Sequence, residues 1–371
     1  MKKINITPND GMHYFFGYYD LQPYDKTYQK HLTHRVSFTG RNPEQGEIAE
    51  LGYIDLATNT FICLATTCAW NFQQGAMLQW FEDGESIIFN DYDGEKYISR
   101  VVGLDGKEIK RFCMPIATLS PDRKKALSIN FARIYDFRSG YGYLNKKDLF
   151  FEEKAPVNDG IFLLDLEKNQ AKLIVNYAEM KKGFEEEPFT SQKLVVNHIN
   201  FNPSANGYVM LFRNMEGSKW GTVLAVGDLK GNFKKLTNFE VNSHYSWKDD
   251  ETLMIYSGLP EWGVYFINVE SGERARLYDP LCDAGDIHCN YSPDRSCFIG
   301  DGYPDKNNER SLYLYDFATQ SSKILLSVHS EPPTVVDARC DLHARWRQDG
   351  KEISYDSTEN KRREIFRLLV D

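Results

Sequence analysis

The sequence lacks the features that place a protein in a membrane or in a disulfide framework. No apolar run approaches the roughly 18 residues that a transmembrane helix needs. Residues 1–10 (MKKINITPND) carry two lysines but lack the apolar segment of a secretory signal. The seven cysteines are odd in number, and their spacing matches no disulfide framework. We therefore expect no membrane segment and a reducing compartment, the cytoplasm, or the periplasm if a signal has been removed.

Charge blocks and long helical patterns are also scarce. The formal net charge of −9 is spread along the 371 residues, which gives no support to a nucleic-acid partner. Apolar residues at helical spacing are rare, and residues 177–184 are the best short candidate for a helix. The 22 tyrosines and 23 phenylalanines, with 26% charged residues, indicate an ordered, aromatic-rich β protein.

What the sequence does contain is a short repeat, which we call the rung. Each rung has a histidine, an aromatic residue three positions later, and a turn-forming Asp or Ser three positions after that. Copies lie at 198–204 (HINFNPS), 244–250 (HYSWKDD), 288–294 (HCNYSPD) and 343–349 (HARWRQD). Related turns at 22–25, 80–84 and 119–122 bring the count to seven. A β-rich repeat of about 40–50 residues is typical of a propeller blade.

The pattern predicts an all-β fold, a seven-bladed β-propeller with four-stranded antiparallel blades in one domain spanning residues 1–371. We expect residues 3–6 to pair beside the C-terminal strand at 364–370 and close the ring, which removes a free sheet edge. Longer spacing between the third and fourth turns predicts rim insertions at about 133–157 and 181–192. Loops on a rigid scaffold are where binding and catalysis usually occur.

The rung histidines predict a metal site. Equivalent positions of adjacent blades lie at one level, so His198, His244, His288 and His343 are expected along one arc. Cys340 lies three residues before His343, and thiolate with imidazoles suits Zn²⁺. The predicted ligands are His244, His288, Cys340 and His343, with Zn²⁺ favoured and Mn²⁺ or Ca²⁺ as alternatives. The other interpretation is that these histidines are hydrogen-bonded core residues.

Two further clusters carry side chains suited to an acidic sugar. In residues 70–80 (WNFQQGAMLQW), Trp70 offers a stacking face, and Asn71, Gln73 and Gln74 offer donors and acceptors. The alternative is a blade-to-blade loop whose amides are satisfied internally.

The other cluster combines tyrosines and arginines. Arg133, Tyr141 and Tyr143 lie on a loop that contains glycines, and Arg213 ends the strand after His198. Arginine can neutralise a carboxylate and tyrosine can move a proton. The alternative is that the tyrosines are surface aromatics.

These residues resemble a known family. The runs FGYYD (16–20), WNFQQG (70–75) and RSGYGY (138–143), with the histidine rungs, are similar to seven-bladed propeller polysaccharide lyases, which include oligogalacturonate lyases and ulvan lyases. The resemblance covers most of the chain. It implies β-elimination at a uronic acid, an acidic oligosaccharide as partner, and a metal bound largely by rung histidines, which fits His288 and His343.

Carried over by position, the resemblance implies that Tyr141 acts as base and acid and that His198 is an alternative base. Arg133 and Arg213 would neutralise the substrate carboxylate. The substrate-binding residues would be Trp70, Asn71, Gln73, Gln74 and Tyr143.

The chain also departs from the family. Where ulvan-type members have histidines, it has Phe72, Asn90 and Asp91. The sequence therefore leaves three functions open: a uronate lyase, a non-catalytic carbohydrate-binding or polysaccharide-assembly propeller, and a propeller that binds a protein at its rim. No protein partner can be named from the sequence.

Overall fold

Short strands and tight turns make up nearly all of the regular structure. The computed structural model describes residues 1–184, 191–215, 221–258 and 260–370. Two compact units are present. The first comprises Met1–Tyr92, Arg100–Arg111 and Asp279–Asp371, and the second comprises Asp93–Ser99 and Phe112–Tyr278.

The strands follow one another at regular intervals along the chain. The first is β1 (Lys2–Asn5). Blades 1 to 3 contain β2 (His13–Phe15), β3 (Lys30–Val36), β4 (Ala49–Asp55), β5 (Thr60–Thr67), β6 (Gln79–Phe81), β7 (Ser86–Tyr92), β8 (Tyr97–Gly103), β9 (Glu108–Phe112), β10 (Thr118–Leu119), β11 (Lys125–Ser128), β12 (Gly160–Asp165) and β13 (Gln170–Asn176). Blades 4 to 7 contain β14 (Leu194–Phe201), β15 (Gly207–Asn214), β16 (Thr222–Asp228), β17 (Phe233–Lys235), β18 (Asn242–Trp247), β19 (Thr252–Ser257), β20 (Gly263–Asn268), β21 (Arg274–Leu277), β22 (Ile287–Tyr291), β23 (Cys297–Gly302), β24 (Glu309–Asp316), β25 (Ser321–His329), β26 (Arg345–Trp346), β27 (Glu352–Ser357) and β28 (Glu364–Leu369).

Each blade is a four-stranded antiparallel sheet. Strands β2 to β5 form blade 1, and each following set of four forms the next blade as far as β25. Blade 7 combines β26, β27 and β28 with β1 from the other end of the chain. The fold is therefore a seven-bladed β-propeller, as the sequence predicts.

The N-terminal strand completes the last blade. Lys2 pairs with Leu369 and Asn5 with Phe366, antiparallel. The ladder continues beyond the strand, since the Ile6 nitrogen donates to the Ile365 oxygen at 3.0 Å. The predicted closure is confirmed, and it satisfies backbone groups that an edge strand would expose.

The rung turns join the first and second strands of a blade. In blade 6 the Ser292 hydroxyl donates to Asp294 Oδ1 at 2.7 Å, and the same oxygen accepts from the Ser296 nitrogen at 3.1 Å. In blade 3, Ser120 donates to Asp122 at 2.6 Å in the same way. Short polar side chains that bond to their own turn explain why Ser-Pro-Asp recurs at these positions.

Packing between strand faces forms the core of each unit. In the first unit, Phe15, Trp70, Phe72 and Phe89 belong to one buried cluster. In the second unit, Leu211 of β15 packs in a cluster with Ile255 of β19. Residues two apart on a strand face the same side of the sheet. An apolar residue at every second position therefore forms one apolar sheet face, which packs in the core.

Helices occur at the two predicted insertions. The first, α1 (Phe131–Phe137), is capped by Asn130, whose side chain accepts from the Arg133 nitrogen at 3.1 Å. The second, α2 (Tyr177–Phe184), confirms the short helix expected from the sequence. Residues 185–190 of the second insertion lie outside the described residues. None of the described helices is long and apolar enough to cross a membrane.

Candidate functional site

The four rung histidines form two pairs, one in each unit. His288 and His343 belong to the first unit, and His198 and His244 to the second. The ladder register shifts at His198 and beside His244, and His198 and His343 have φ values of 57° and 43°. Bulges and positive φ values re-aim side chains at some conformational cost, and they are found frequently at functional sites.

A group of three potential metal ligands lies in the first unit. His288, Asp341 and His343 each offer one ligand atom, and these atoms lie within 4.8 Å of one another. All three side chains are buried. The two imidazole rings meet edge to face, with centroids 4.5 Å apart. The arrangement brings two nitrogens and a carboxylate oxygen to one point.

Neighbouring acceptors orient both imidazoles. His343 Nδ1 lies 2.9 Å from the Gly17 carbonyl oxygen, which can only accept, so Nδ1 carries the proton. Its Nε2 then presents a lone pair, and that atom has no hydrogen-bond partner in the described part of the chain. His288 Nδ1 similarly donates to Asp301 Oδ2 at 3.2 Å. A carboxylate or carbonyl behind a histidine is the usual support of a metal ligand.

Electrostatics favour the protonation state that a cation needs on Asp341 and His343, and oppose it on His288. Burial would raise the pKa of Asp341, but Arg339 and Arg310, each 2.8 Å away, hold it well below its ordinary value. Burial, together with the neighbouring His288, lowers the pKa of His343 well below its usual value. Burial opposes charge on His288 too, but Asp301 outweighs it and raises the pKa. Asp341 is thus ionised and His343 neutral near neutral pH, as metal binding requires.

The donor set fits a divalent cation, with one opposing effect. Imidazole nitrogen and carboxylate oxygen together suit Mn²⁺ or Zn²⁺, and three protein ligands leave positions for water or substrate. Arg310 and Arg339 already neutralise Asp341, so a cation would share that carboxylate with two guanidinium groups. The charge balance therefore predicts a weaker site than two histidines and an unpaired aspartate would make.

The structure places the other two predicted ligands outside this group. The Cys340 thiol is buried, lies 3.8 Å from the Asp341 carbonyl oxygen, and has its pKa raised by burial to about 11. His244 belongs to the second unit. The sequence analysis missed Asp341, although its spacing from His343 was a usable signal, since residues i and i+2 of an extended segment face the same side.

Residues 70–75 serve the fold. Trp70 is buried, and its Nε1 donates to the Glu47 oxygen at 2.9 Å. Asn71 Oδ1 accepts from the nitrogens of Gln73 and Gln74 at 3.1 and 2.8 Å, which closes the turn. All four predicted substrate-binding residues here are at most 8% exposed. These contacts fit the interpretation as a blade-to-blade loop, but Gln73 Oε1 is buried without a hydrogen-bond partner among the described residues, so the amides are not all satisfied internally.

The second unit holds a cluster of catalytic-type side chains. Tyr141 and His198 meet edge to face with ring centroids 5.4 Å apart, and the His198 and His244 rings lie 6.5 Å apart. Arg213 is buried and donates to the main-chain oxygen of Asn242, two residues before His244. A phenol and imidazoles can move a proton, and a guanidinium can pair with a carboxylate.

Arg133 and Tyr143 are committed to the fold. Arg133 is fully buried, pairs with Asp148 at 3.0 Å, and gives its remaining donors to four main-chain oxygens, those of Leu194, Phe150, Glu153 and Lys154. No N–H of Arg133 is left for a substrate carboxylate. Tyr143 is buried and stacks on Phe131 at 4.5 Å.

Comparison with known proteins establishes the fold. No protein-family model matches the chain, and no curated protein matches it in sequence. A solved oligogalacturonate lyase in complex with manganese aligns over 100% of this chain and 93% of its own, at 15% identity and a TM-score of 0.70. An oligogalacturonate lyase from Vibrio parahaemolyticus aligns over the same shares at 14% identity and 0.69. A chain of a mitotic checkpoint complex aligns over 100% of this chain and 91% of its own, at 12% identity and 0.53. The predicted likeness to the lyases is confirmed at the level of the fold.

Proposed function

We propose that this protein is a lyase that cleaves uronic-acid-containing oligosaccharides by β-elimination. The observation that carries the proposal is the cluster of Tyr141, His198, His244 and Arg213 on a fold that aligns along its whole length with oligogalacturonate lyases. Fold alone does not assign function, so the proposed lyase activity depends on the chemistry of these side chains.

The cluster supplies each group that the reaction needs. An imidazole, His198 or His244, takes the proton at C5 of the uronate. The electron pair of that C–H bond forms the C4–C5 double bond, the C4–oxygen bond breaks, and the Tyr141 hydroxyl protonates the leaving oxygen. Arg213 pairs with the carboxylate, which makes the C5 proton more acidic.

The metal belongs to the same proposal, on the ligands His288, Asp341 and His343. A divalent ion held there would cross-link these three side chains and stiffen the first unit. Without a thiolate in the group, Mn²⁺ suits the donors as well as Zn²⁺ does.

A non-catalytic carbohydrate-binding propeller is the second candidate. Arg133, Trp70 and Tyr143 are committed to internal contacts. Asn90, at a position where ulvan-type relatives have a histidine, is fully buried. A scaffold that keeps the fold but has fewer reactive groups would bind sugars without cleaving them.

Ultraviolet absorbance of the unsaturated uronate product tests the lyase directly. We expect it to rise when the protein with Mn²⁺ or Zn²⁺ meets pectic, ulvan or glycosaminoglycan oligomers. His198→Ala or His244→Ala, whichever removes the base, should lower kcat by about 10²–10⁴-fold. Arg213→Met, which removes the partner of the carboxylate, should lower kcat by a similar factor. The matched control is His329→Ala, at an exposed histidine.

The same assay separates the candidates. If no oligomer raises the absorbance but one raises the melting temperature, the protein is a binder. If neither signal appears with any oligomer, both carbohydrate functions are excluded, and the protein-binding alternative is retained.

A further inference from the structure

A cavity lies in the second unit, beside the first insertion. Its volume is about 220 Å³. It is open to the surface and is lined by the residues before β10, the start of α1, the loop at 146–150 and the start of β12. Most of its wall is apolar, formed by Met114, Pro115, Ile129, Phe131, Phe150 and Phe162. Concave, mostly apolar cavities with a few polar groups are the usual form of small-molecule sites.

The charged groups of this cavity are mainly basic. Lys96, Lys146 and Lys147 line it with one carboxyl, Asp159, so the lining carries +3 and −1, a net +2, when Asp159 is ionised. The whole chain carries −9. The Lys146 ammonium also donates to the Glu95 carbonyl, which leaves its charge intact. A positive rim over an apolar wall complements a molecule with an anionic head and an apolar body.

We propose that this cavity binds a small amphipathic carboxylate, an aromatic or short-chain aliphatic acid. The apolar body lies against Met114, Phe131 and Phe162, and the carboxylate faces the lysine rim. Drug-sized ligands occupy about 300–1,000 Å³, so a cavity of about 220 Å³ accepts a molecule of one ring or a comparable chain.

The cavity is separate from the cluster proposed for catalysis. Among the described residues, its lining includes none of Tyr141, His198, His244 and Arg213. This proposal therefore stands or falls independently of lyase activity.

Asp159 makes the binding depend on pH. Burial raises its pKa to about 6, against hydrogen bonds from Asn130 and Gly160 that favour the ionised form. The titratable and charged groups that act on it are Tyr177 and, behind Asn130, the Asp148–Arg133 pair, and three lysines line the same cavity. Protonation of Asp159 removes the only negative charge among the described residues of the lining, so an anion should bind more tightly at about pH 5.5 than at about pH 8.

Calorimetry with three matched probes tests the charge preference. They are 3-phenylpropionate, 3-phenylpropan-1-ol and 3-phenylpropylamine, which share one apolar body. We expect the acid to bind and the alcohol to bind with an affinity at least about fivefold lower. The amine should give no heat of binding. The proposal is overturned if the alcohol or the amine binds as tightly as the acid, or if the acid does not bind up to its solubility limit.

Two variants locate the site. Lys146→Gln with Lys147→Gln should weaken the acid about fivefold. The matched control, Lys124→Gln with Lys125→Gln, changes an exposed lysine pair outside the cavity in the same unit and should leave affinity unchanged. Met114→Trp should fill the cavity and abolish binding while a cooperative melting transition remains. Equal weakening by both lysine pairs would refute the site even if Met114→Trp fails to fold.

Discussion

The side-chain nitrogen of Gln73 lies 3.0 Å from the main-chain oxygen of Arg339, to which it donates a hydrogen bond. The same nitrogen donates to the Asp337 oxygen at 3.2 Å. Gln73 is fully buried, so water does not compete for these bonds. The loop before blade 2 thereby holds the segment that leads to Asp341 and His343. A residue predicted from sequence to contact substrate has the contacts of a positioning residue for the metal group.

Gln73→Ala should weaken metal binding without removing a ligand. Loss of both bonds leaves the carbonyl oxygens of Asp337 and Arg339 without this donor and loosens the backbone before Asp341. Changes behind a ligand typically cost about 10–100-fold in metal affinity. Titration with Mn²⁺ or Zn²⁺ measures the effect, and Gln170→Ala, at an exposed glutamine of β13, is the control. Equal affinities for the Gln73 variant and wild type would refute the positioning role.

His343→Ala should abolish stoichiometric metal binding, because it removes one of three ligand atoms and the lone pair of a buried Nε2. Elemental analysis after dialysis measures metal content. Removal of the ion by a chelator should lower the melting temperature of the wild type and leave that of the variant unchanged. His329→Ala, at an exposed histidine, should keep its metal. A wild type with no bound metal in the presence of excess Mn²⁺ and Zn²⁺ would exclude the site.

Arg133→Met should destabilise the second unit strongly. The change leaves Asp148 buried without its cation and deprives four main-chain oxygens of a donor. Breaking a buried pair in this way costs about 3–5 kcal/mol. Chemical denaturation measures the free energy of unfolding. Arg111→Met, which breaks a surface pair with Glu108, should cost less than about 1 kcal/mol. A loss as small as that of the control would mean that Arg133 is not the anchor of its loop.

Gly75→Ala should unfold or severely destabilise the protein. Gly75 has φ +61°, and an added Cβ would lie 2.3 Å from His34 Cε1. The ring cannot yield easily, since it stacks on Phe15 and its Nε2 accepts from the Ala76 nitrogen at 2.9 Å. Gly84→Ala adds a similar φ strain in open space and should cost only about 1 kcal/mol. Comparison of the two melting temperatures isolates the clash from the strain.

The stability contribution of Asp159 should fall as pH rises. Its folded pKa, raised by burial to about 6, exceeds the ordinary value of 3.8, so between these values the folded state binds more protons than the unfolded state. The contribution is complete below about pH 4 and is lost as pH rises through about 6, a change on the order of 3 kcal/mol. Unfolding of wild type and Asp159→Asn at several pH values measures it. The difference in unfolding free energy should shift toward the variant up to about pH 7. Asp165 is partly exposed and its pKa is lowered by a hydrogen bond from the Lys168 nitrogen, so Asp165→Asn should show no shift in that direction. A difference independent of pH would contradict the raised pKa.

Fold class and blade number could be predicted because they depend on local chemistry. Ser292 and Asp294 close their turn through bonds that span only a few residues. Strands that are joined by such tight turns pair as antiparallel hairpins. Each blade contains one of these turns, so the seven turns give the number of blades. The short helix at Tyr177–Phe184 follows from local pattern in the same way.

The partners of the polar side chains depended on distant parts of the chain. Gln73 meets a carbonyl 266 residues away, and His343 meets Gly17 across 326. Asp341, rather than Cys340, joins His288 and His343 because the side chains of an extended segment alternate in direction, and the sequence does not state which set faces inward. The catalytic, substrate and metal roles of individual residues remain predictions. The sequence by itself determined the repeated scaffold, through interactions within each blade, and the tertiary structure decided which buried groups meet, because those contacts form only when distant strands come together.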